Sequence, residues 1–130
     1  MTAPALDARE HAELWRSLIA ARMNGHAYDY DDVPKALPNI YALVSVERRF
    51  APSARATSQA SRSSWRLSVR GVGRTIAECQ WADKRITEAV EQHRAPIGGK
   101  ASTLPRHETS DAPKPDDGRY SSLTHWTYSL

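Results

Sequence analysis

Three residues in the last third of the chain have side chains that could ligate a metal: His107, Glu108 and Asp111. Imidazole and carboxylate groups are common metal ligands, but a protein site needs several of them in a fixed geometry. A second acidic group, Asp29, Asp31 and Asp32 in the tract 29–32, lacks the glycine and the remaining ligands of a calcium loop. We interpret both groups as solvated and expect no bound metal.

Gly71, Val72 and Gly73 have the glycine spacing that begins a dinucleotide-binding turn. Ile76 stands where the third glycine of that motif belongs, and no second βαβ unit follows. The glycines are therefore interpreted as a tight turn between a strand and a helix, and no cofactor is expected.

The residues that could act as nucleophiles or bases show no catalytic arrangement. The five histidines at positions 11, 26, 93, 107 and 125 are scattered, and no Gly-x-Ser-x-Gly elbow is present. The single cysteine, Cys79, cannot form an intramolecular disulfide, and it falls on the apolar stripe of a predicted helix. This position is typical of a small core residue, so we expect no enzymatic activity.

Charge is distributed unevenly along a chain of net charge +3. Residues 47–74 contain seven arginines and one acid, whereas residues 107–118 contain four acids and one lysine. Two blocks of opposite charge could bind neighbouring copies head to tail or steer the protein onto a charged partner. The candidate interaction residues are Arg48, Arg49, Arg55, Arg62, Arg66, Arg70, Asp111, Asp116 and Asp117.

The arginine-rich block also permits a nucleic-acid interpretation. Arginine contacts phosphates, and Trp65 and Tyr41 could stack on bases. Alternation of the strand residues places Trp65 on the apolar face, however, which favours a core position for this side chain. A small basic nucleic-acid-binding domain is kept as an alternative.

The elements that must position these residues centre on residues 65–93. Trp65, Leu67 and Val69 alternate with polar residues, which predicts a half-buried strand. Thr75 and Glu78 have the spacing of a capping box, and apolar residues then recur at helical spacing until Pro96. A helix joined so closely to a strand must pack on the sheet.

The remaining elements follow from periodicity and turn signals. We predict a helix over 8–23 with a capping box at Asp7 and Glu10, a polar connector over 28–38 and a strand over 40–49. Residues 51–64 lack large apolar side chains and predict a long arginine-bearing loop. A strand over 99–109 with Pro105 at an edge or bulge, an acidic loop over 111–118 and a strand over 119–130 complete the chain.

The predicted fold is a single α+β domain over residues 1–130, with the order α-β-β-α-β-β. Both helices pack on one face of a mostly antiparallel sheet. The other face carries Arg66 and Arg70, and it is either solvated or covered by another subunit. The sequence contains no apolar run of about 18 residues and no apolar stretch of signal-peptide length, so neither membrane insertion nor export is expected.

These elements occur in an order that resembles the tail terminator proteins of long-tailed phages, in the form common among phages of actinobacteria. The resemblance covers most of the chain, and no single motif in it is diagnostic. The matching residues are Asp32, Val33, Pro34, Leu37 and Pro38, the strand over 40–49, the segments 65–70 and 72–75, and the segments 116–121 and 126–130.

The resemblance implies a structural protein of the virion, in the neck region of the tail, that assembles in the host cytoplasm. It implies a homo-oligomeric, hexameric ring that caps the head-proximal end of the tail tube and ends tube polymerisation. The ring would also dock to the head–tail connector or head-closure protein, and DNA would pass through its lumen without specific binding. It implies no catalytic residues. A neighbouring neck protein, such as a head-closure or tail-completion factor, is an alternative that sequence patterns separate poorly.

A head-to-tail ring needs two different, complementary surfaces on each subunit. The basic and acidic segments are candidates for these surfaces. We also hypothesise that Arg55 and Arg62 lie on a loop that becomes ordered only against the tail tube or a neighbouring subunit.

Overall fold

The computed structural model describes residues 4–30, 32–49, 64–97 and 100–129. Two helices, α1 and α2, span Pro4–Ala20 and Ile76–Glu91. The strands in chain order are β1 (Ala27–Asp29), β2 (Tyr41–Arg49), β3 (Ser64–Gly73), β4 (Pro96–Ile97), β5 (Lys100–Ala101), β6 (Arg106–Ser110), β7 (Lys114–Asp116) and β8 (Arg119–Ser129).

Six strands form the main sheet in the order β1-β2-β3-β8-β6, with β7 also paired to β8. The long strands β2, β3 and β8 are antiparallel, and their register aligns Val44 with Val69 and Val69 with Thr124. β6 and β7 both pair antiparallel with β8, and β4 and β5 form a separate small hairpin. The α+β class and the predicted order of the principal elements are confirmed.

Alternation along β3 produces one fully buried face. Trp65, Leu67 and Val69 are at most 3% exposed, whereas the intervening Arg66, Ser68 and Arg70 are half-buried on the opposite face. Both helices contact the apolar face of the sheet. The core consists of Trp15, Ile19, Met23, Ala27, Ala42, Val44, Trp65, Leu67, Val69, Ala82, Ile86, Ala89, Val90, Ala95, Trp126 and Tyr128.

The start of α2 confirms one half of the predicted capping box. Thr75 is the N-cap, and its hydroxyl accepts a hydrogen bond from the Glu78 backbone N–H at 3.1 Å. The Glu78 carboxylate accepts from the backbone N–H of Arg74 instead of that of Thr75, because it also pairs with the Arg74 guanidinium at 3.0 Å. Cys79 is buried as predicted, but Ile76 is 47% exposed and does not belong to the buried stripe.

Several predicted boundaries were wrong. α1 begins at Pro4, because proline is compatible with a first helical turn, so Asp7 lies within the helix and not at its N-cap position. α1 ends at Ala20, and the chain then turns through Asn24 and Gly25, which both have positive φ.

Two predicted loops contain short strands. The predicted connector over 28–38 begins within β1, which pairs parallel with β2. The predicted acidic loop contains β7, whose hairpin with β8 turns at Asp117 and Gly118, both of which have positive φ.

The region around the third predicted strand is also divided differently. The strand predicted over 99–109 is paired to β8 only from Arg106, so Pro105 precedes β6. The register shifts between His107 and Thr109 and not at Pro105. The loop predicted over 51–64 lies outside the described residues except for Ser64. No helix among the described residues is long and apolar enough to cross a membrane.

Candidate interaction surface

The sheet has one face without helices, which we call the open face. It carries the β3 side chains that alternate with the buried set, together with their cross-strand partners on β2 and β8. Its members are Tyr41, Leu43, Ser45, Glu47, Arg49, Arg66, Ser68, Arg70, Val72, Ser121, Leu123, His125, Thr127 and Ser129.

One end of the open face is an ion-pair cluster around Glu108 of β6. The Arg49 guanidinium donates to Glu108 at 2.8 Å, and a nitrogen of Arg66 lies 3.0 Å from the other carboxylate oxygen. The Thr127 hydroxyl also donates to Glu108. The Thr127 hydrogen bond lowers the pKa of Glu108, and Arg66 and Arg49 act in the same direction against the opposing effect of burial.

The centre of the open face is nearly neutral. Ser68 Oγ and His125 Nδ1 are 2.7 Å apart across neighbouring strands. Burial lowers the pKa of His125, and the positive charge of Arg66 lowers it further. The imidazole is therefore neutral near pH 7 and adds no charge between the two ends of the face.

The other end of the open face joins Arg70 to the acidic segment. Arg70 donates to Ser121 Oγ at 3.0 Å, and the Ser121 hydroxyl donates to Asp116 at 2.9 Å. Asp111 accepts from the Leu123 backbone N–H at 2.7 Å. Burial alone would raise the pKa of Asp111, but the Leu123 hydrogen bond and Lys114 together lower it.

The predicted interaction residues are only partly brought together. Arg49, Arg66, Arg70, Asp111 and Asp116 lie on or beside the open face. Arg48 pairs with Trp65 in the register of β2 and β3, so its exposed side chain belongs to the opposite face.

The other three predicted residues are Asp117, Arg55 and Arg62. Asp117 occupies the β7–β8 turn, where its φ of 52° suits aspartate better than most residues. Arg55 and Arg62, and with them the hypothesis of a loop ordered by a partner, lie outside the described residues.

The basic and acidic segments therefore meet within one chain. Arg49 and Arg66 pair with Glu108, so part of each charge block is neutralised inside the subunit. The predicted complementarity between copies would use the charges that remain. The importance of the predicted residues for assembly stays a prediction.

Sequence reasoning missed two contacts. It did not predict that Glu108 lies at the middle of the ion-pair cluster, and it gave no role to Arg119. Arg119 donates to the backbone carbonyls of Pro38 and Asn39 at 2.8 and 3.0 Å, and its guanidinium lies 5.5 Å from the centre of the Tyr41 ring. It thus attaches the start of β2 to the start of β8. No local signal identifies either residue, because Arg49 is 59 positions from Glu108 and Pro38 is 81 positions from Arg119.

The candidate metal ligands do not converge. His107 contacts the edge of the Trp126 ring and lies 3.2 Å from Ser110 Oγ, whereas Glu108 faces the arginines. Within the described ranges, no group of three or more histidine, cysteine and acidic side chains is placed to hold a metal ion.

Trp65 belongs to the core, as alternation predicts. It is 3% exposed, and its ring stacks on that of His11 with 3.9 Å between centroids. Trp65 is therefore not available to stack on a base, which removes one support for the nucleic-acid interpretation.

A second polar cluster lies where α2 crosses β8. The Ser122 hydroxyl donates to the Asp83 carboxylate at 2.5 Å, and the Cys79 thiol donates to the Gly71 carbonyl at 3.5 Å. Burial raises the pKa of both Asp83 and Cys79, and the Ser122 hydrogen bond opposes this effect. The cluster attaches α2 to the sheet on the side opposite the open face.

Comparison with protein-family models found no match, and comparison with curated proteins found none. Among solved structures, a chain of the virion of a native gene transfer agent particle has a TM-score of 0.65 and 13% identity, and the match covers 99% of this chain and 98% of that one. A second solved structure, whose name states no function, has a TM-score of 0.61 and 14% identity over 99% of this chain and 96% of its own. The protein therefore shares its fold, over nearly its whole length, with a chain of a gene transfer agent virion.

Proposed function

We propose that this chain is a structural virion protein that acts as a tail terminator. Identical copies form a ring, with six as the expected number, at the head-proximal end of the tail tube. The ring ends polymerisation of the tube protein and provides the surface that binds the head–tail connector or head-closure protein. DNA passes through its lumen without specific binding. The protein is located in the neck of the virion and assembles in the host cytoplasm.

The observation that carries the proposal is the mutual coverage of this chain and the chain from the gene transfer agent virion. The match includes 99% of one chain and 98% of the other, so the two share the fold over nearly their whole compared length. This match supports a structural virion protein. The more specific role of terminator depends on the ordered motifs that resemble phage tail terminators.

The open face suits a protein that is assembled late and in a defined orientation. It presents several arginine, hydroxyl and carboxylate groups, many of which already pair within the chain. Such a surface remains hydrated in the free subunit, whereas a large apolar patch would promote premature association. Charged residues at its margins supply orientation and specificity when a partner docks.

The test is tube polymerisation in vitro. Purified tail tube protein of the same virus is polymerised alone and with increasing amounts of this protein, and tube lengths are measured by negative-stain electron microscopy. A terminator should shorten the tubes in proportion to its concentration and should appear as a ring at one end. Unchanged lengths at saturating protein, with no density at tube ends, would overturn the proposal.

The same samples separate the alternatives. A ring that binds connector or head-closure protein but leaves tube length unchanged would indicate another neck protein. Binding to duplex DNA that weakens steeply between about 50 and 200 mM salt would favour the nucleic-acid alternative.

A further inference from the structure

The outer side of α2 carries a stripe of exposed residues that includes a tryptophan. The members of the stripe recur every three or four positions and lie on the side of the helix away from the sheet: Ala77, Trp81, Lys84, Glu88 and Glu91. Trp81 is 38% exposed, whereas the other three tryptophans of the chain are at most 3% exposed. Tryptophan is enriched among the residues that contribute most to binding at protein interfaces.

The charge on this stripe changes sign along the helix. Lys84 is exposed in the first half of α2, and Glu91 is exposed seven residues later, about 10.5 Å further along the axis. Arg85 and Glu88 lie between them and pair with each other at 3.7 Å. The stripe is therefore positive toward the start of α2 and negative at its end.

The open face carries charge in the opposite order. The end beside the β7–β8 turn is rich in exposed acids, and its charged residues are Asp111, Asp116, Asp117, Arg70 and Lys114. The other end is rich in arginine, and its charged residues are Arg49, Arg66, Arg106, Glu47 and Glu108. We call these the acidic end and the arginine end. Each has one net charge, negative at the first and positive at the second.

Lys84 lies at the height of the acidic end along the strand axes. Its neighbour Asp83 accepts a hydrogen bond from Ser122 of β8. Leu123, the next residue of β8, donates its backbone N–H to Asp111. Lys84 and Asp111 therefore differ in height by only about one strand residue, roughly 3.3 Å, although they lie on opposite sides of the sheet.

Glu91 lies at the height of the arginine end. Its carboxylate accepts a hydrogen bond from the Trp126 indole N–H at 3.1 Å. Thr127, the next residue of β8, is aligned with Arg66 in the register of β3 and β8. Glu91 and Arg66 therefore also differ in height by about one strand residue, and they too lie on opposite sides of the sheet.

We propose that the outer side of α2 of one copy docks on the open face of the next copy. Both copies keep the same direction along their strands, so that Lys84 faces Asp111 and Asp116. In the same arrangement Glu91 faces Arg66. Opposite charges thus meet at both ends of the contact, and this complementarity fixes the orientation of the two copies.

The inference rests on the proposed ring, because each copy uses two different surfaces. Such head-to-tail contacts form a closed ring when the rotation closes. A rotation about an axis parallel to the strands leaves every height along that axis unchanged. The charges therefore stay matched for any number of copies.

Trp81 supplies the apolar part of this contact. It borders a pocket with Ile40 and Pro38, which places it at the height where β2 begins. Leu43 and Leu123 are half-buried on the open face toward the same end. An aromatic anchor surrounded by opposite charges is the usual anatomy of a specific interface.

The first test is charge reversal with rescue, with the mass of the assembled protein measured over a concentration series. Lys84→Glu and Asp116→Lys should each raise the concentration needed for assembly by roughly tenfold or more, because like charges then face each other. The double variant exchanges the signs of one pair and should restore assembly. The matched control Arg9→Glu changes the net charge equally, beside the groove next to β2, and should assemble as wild type.

The second test is cross-linking with a carbodiimide, which joins a lysine amine to a carboxylate in direct contact. Tube protein is added if assembly requires it. The band of two linked copies should contain a peptide that joins Lys84 to Asp111 or Asp116. Within one chain α2 and the sheet separate these groups, so the peptide reports a contact between copies. Lys84→Glu should abolish it.

The two tests together distinguish the outcomes. A closed ring that lacks this peptide, or that forms at wild-type concentration in Lys84→Glu and in Asp116→Lys, would overturn the proposed contact and leave the ring proposal standing. A monomer under all conditions, including with tube protein, would overturn both. Thermal unfolding of each variant checks that a loss of assembly is not a loss of folding.

Discussion

Gly73 offers the sharpest test of how the sheet positions α2. A Cβ on Gly73 would lie 2.7 Å from the Cys79 backbone nitrogen and 2.8 Å from the Glu78 carbonyl carbon. Ordinary contact begins at 3.4 Å, so the first turn of α2 would have to move by roughly 0.7 Å. Gly73 is not among the residues with positive φ, so its backbone conformation permits alanine and only the contact opposes it.

Overpacking of this kind costs about 1–3 kcal/mol, and the upper half is expected here because the opposing atoms are backbone. With an unfolding entropy of about 2.1 cal/mol/K per residue, a 130-residue chain loses roughly 4 °C in Tm per kcal/mol. Gly73→Ala should therefore lower Tm by about 7–11 °C.

The assay is thermal unfolding followed by circular dichroism, with two other glycine variants for comparison. Gly71→Ala should cost less, because its nearest contact is the end of the Asp83 side chain at 2.8 Å. A Cβ on Gly118 would have no neighbouring atom within 4 Å. Gly118→Ala should therefore show only the strain of a positive φ, about 1–2 kcal/mol. The reasoning would be refuted if the Tm of Gly73→Ala lay within about 2 °C of the wild-type Tm, or if it were higher than the Tm of Gly118→Ala.

Three further predictions concern titratable groups. Because burial raises the pKa of Asp83, its contribution to stability is present at low pH and is lost as pH rises through the raised pKa. Asp83→Asn should therefore be at least as stable as wild type at pH 7. Its free energy of unfolding relative to wild type, measured by denaturant titration, should fall toward pH 4. A variant that loses stability only at pH 7 would contradict this. The pKa of Glu108 is lowered, so its contribution is present at neutral pH and is lost as pH falls through the lowered pKa. Glu108→Gln should lower Tm by a few degrees at pH 7, with a smaller difference near pH 3, and an unchanged Tm at pH 7 would show that the ion pairs are too exposed to matter. The buried Cys79 thiol, whose pKa burial raises, should not react with a thiol reagent at pH 7.5 in the folded protein and should give one equivalent after denaturation.

The α+β class could be predicted because the principal elements carry strong local periodicity. The alternation in β3 and the stripe of Cys79, Ile86 and Val90 in α2 each reflect one buried face, and both were predicted. Short elements without such a pattern were missed. β1 has three residues and depends on parallel pairing with β2, and β7 consists of three exposed residues, one of which is Pro115.

The candidate surface was predictable only as two segments of opposite charge. Their meeting within one chain depends on β6 pairing with β8 and β8 with β3, which brings Glu108 to Arg66 across the sheet. A shift of one residue in either register would turn Glu108 to the other face and leave the arginines unpaired. No local property of the acidic segment specifies that register.

The sequence by itself determined which residues are buried in the long elements, because burial of one face requires a period of 2 in a strand and 3.6 in a helix. It also predicted a tight turn between strand and helix at Gly71 and Gly73, because glycine tolerates conformations that other residues do not. The tertiary structure alone decided which charges pair and which described strands lie at the edges of the sheet. Both depend on strand order and register, which arise from contacts between residues that are far apart in the chain.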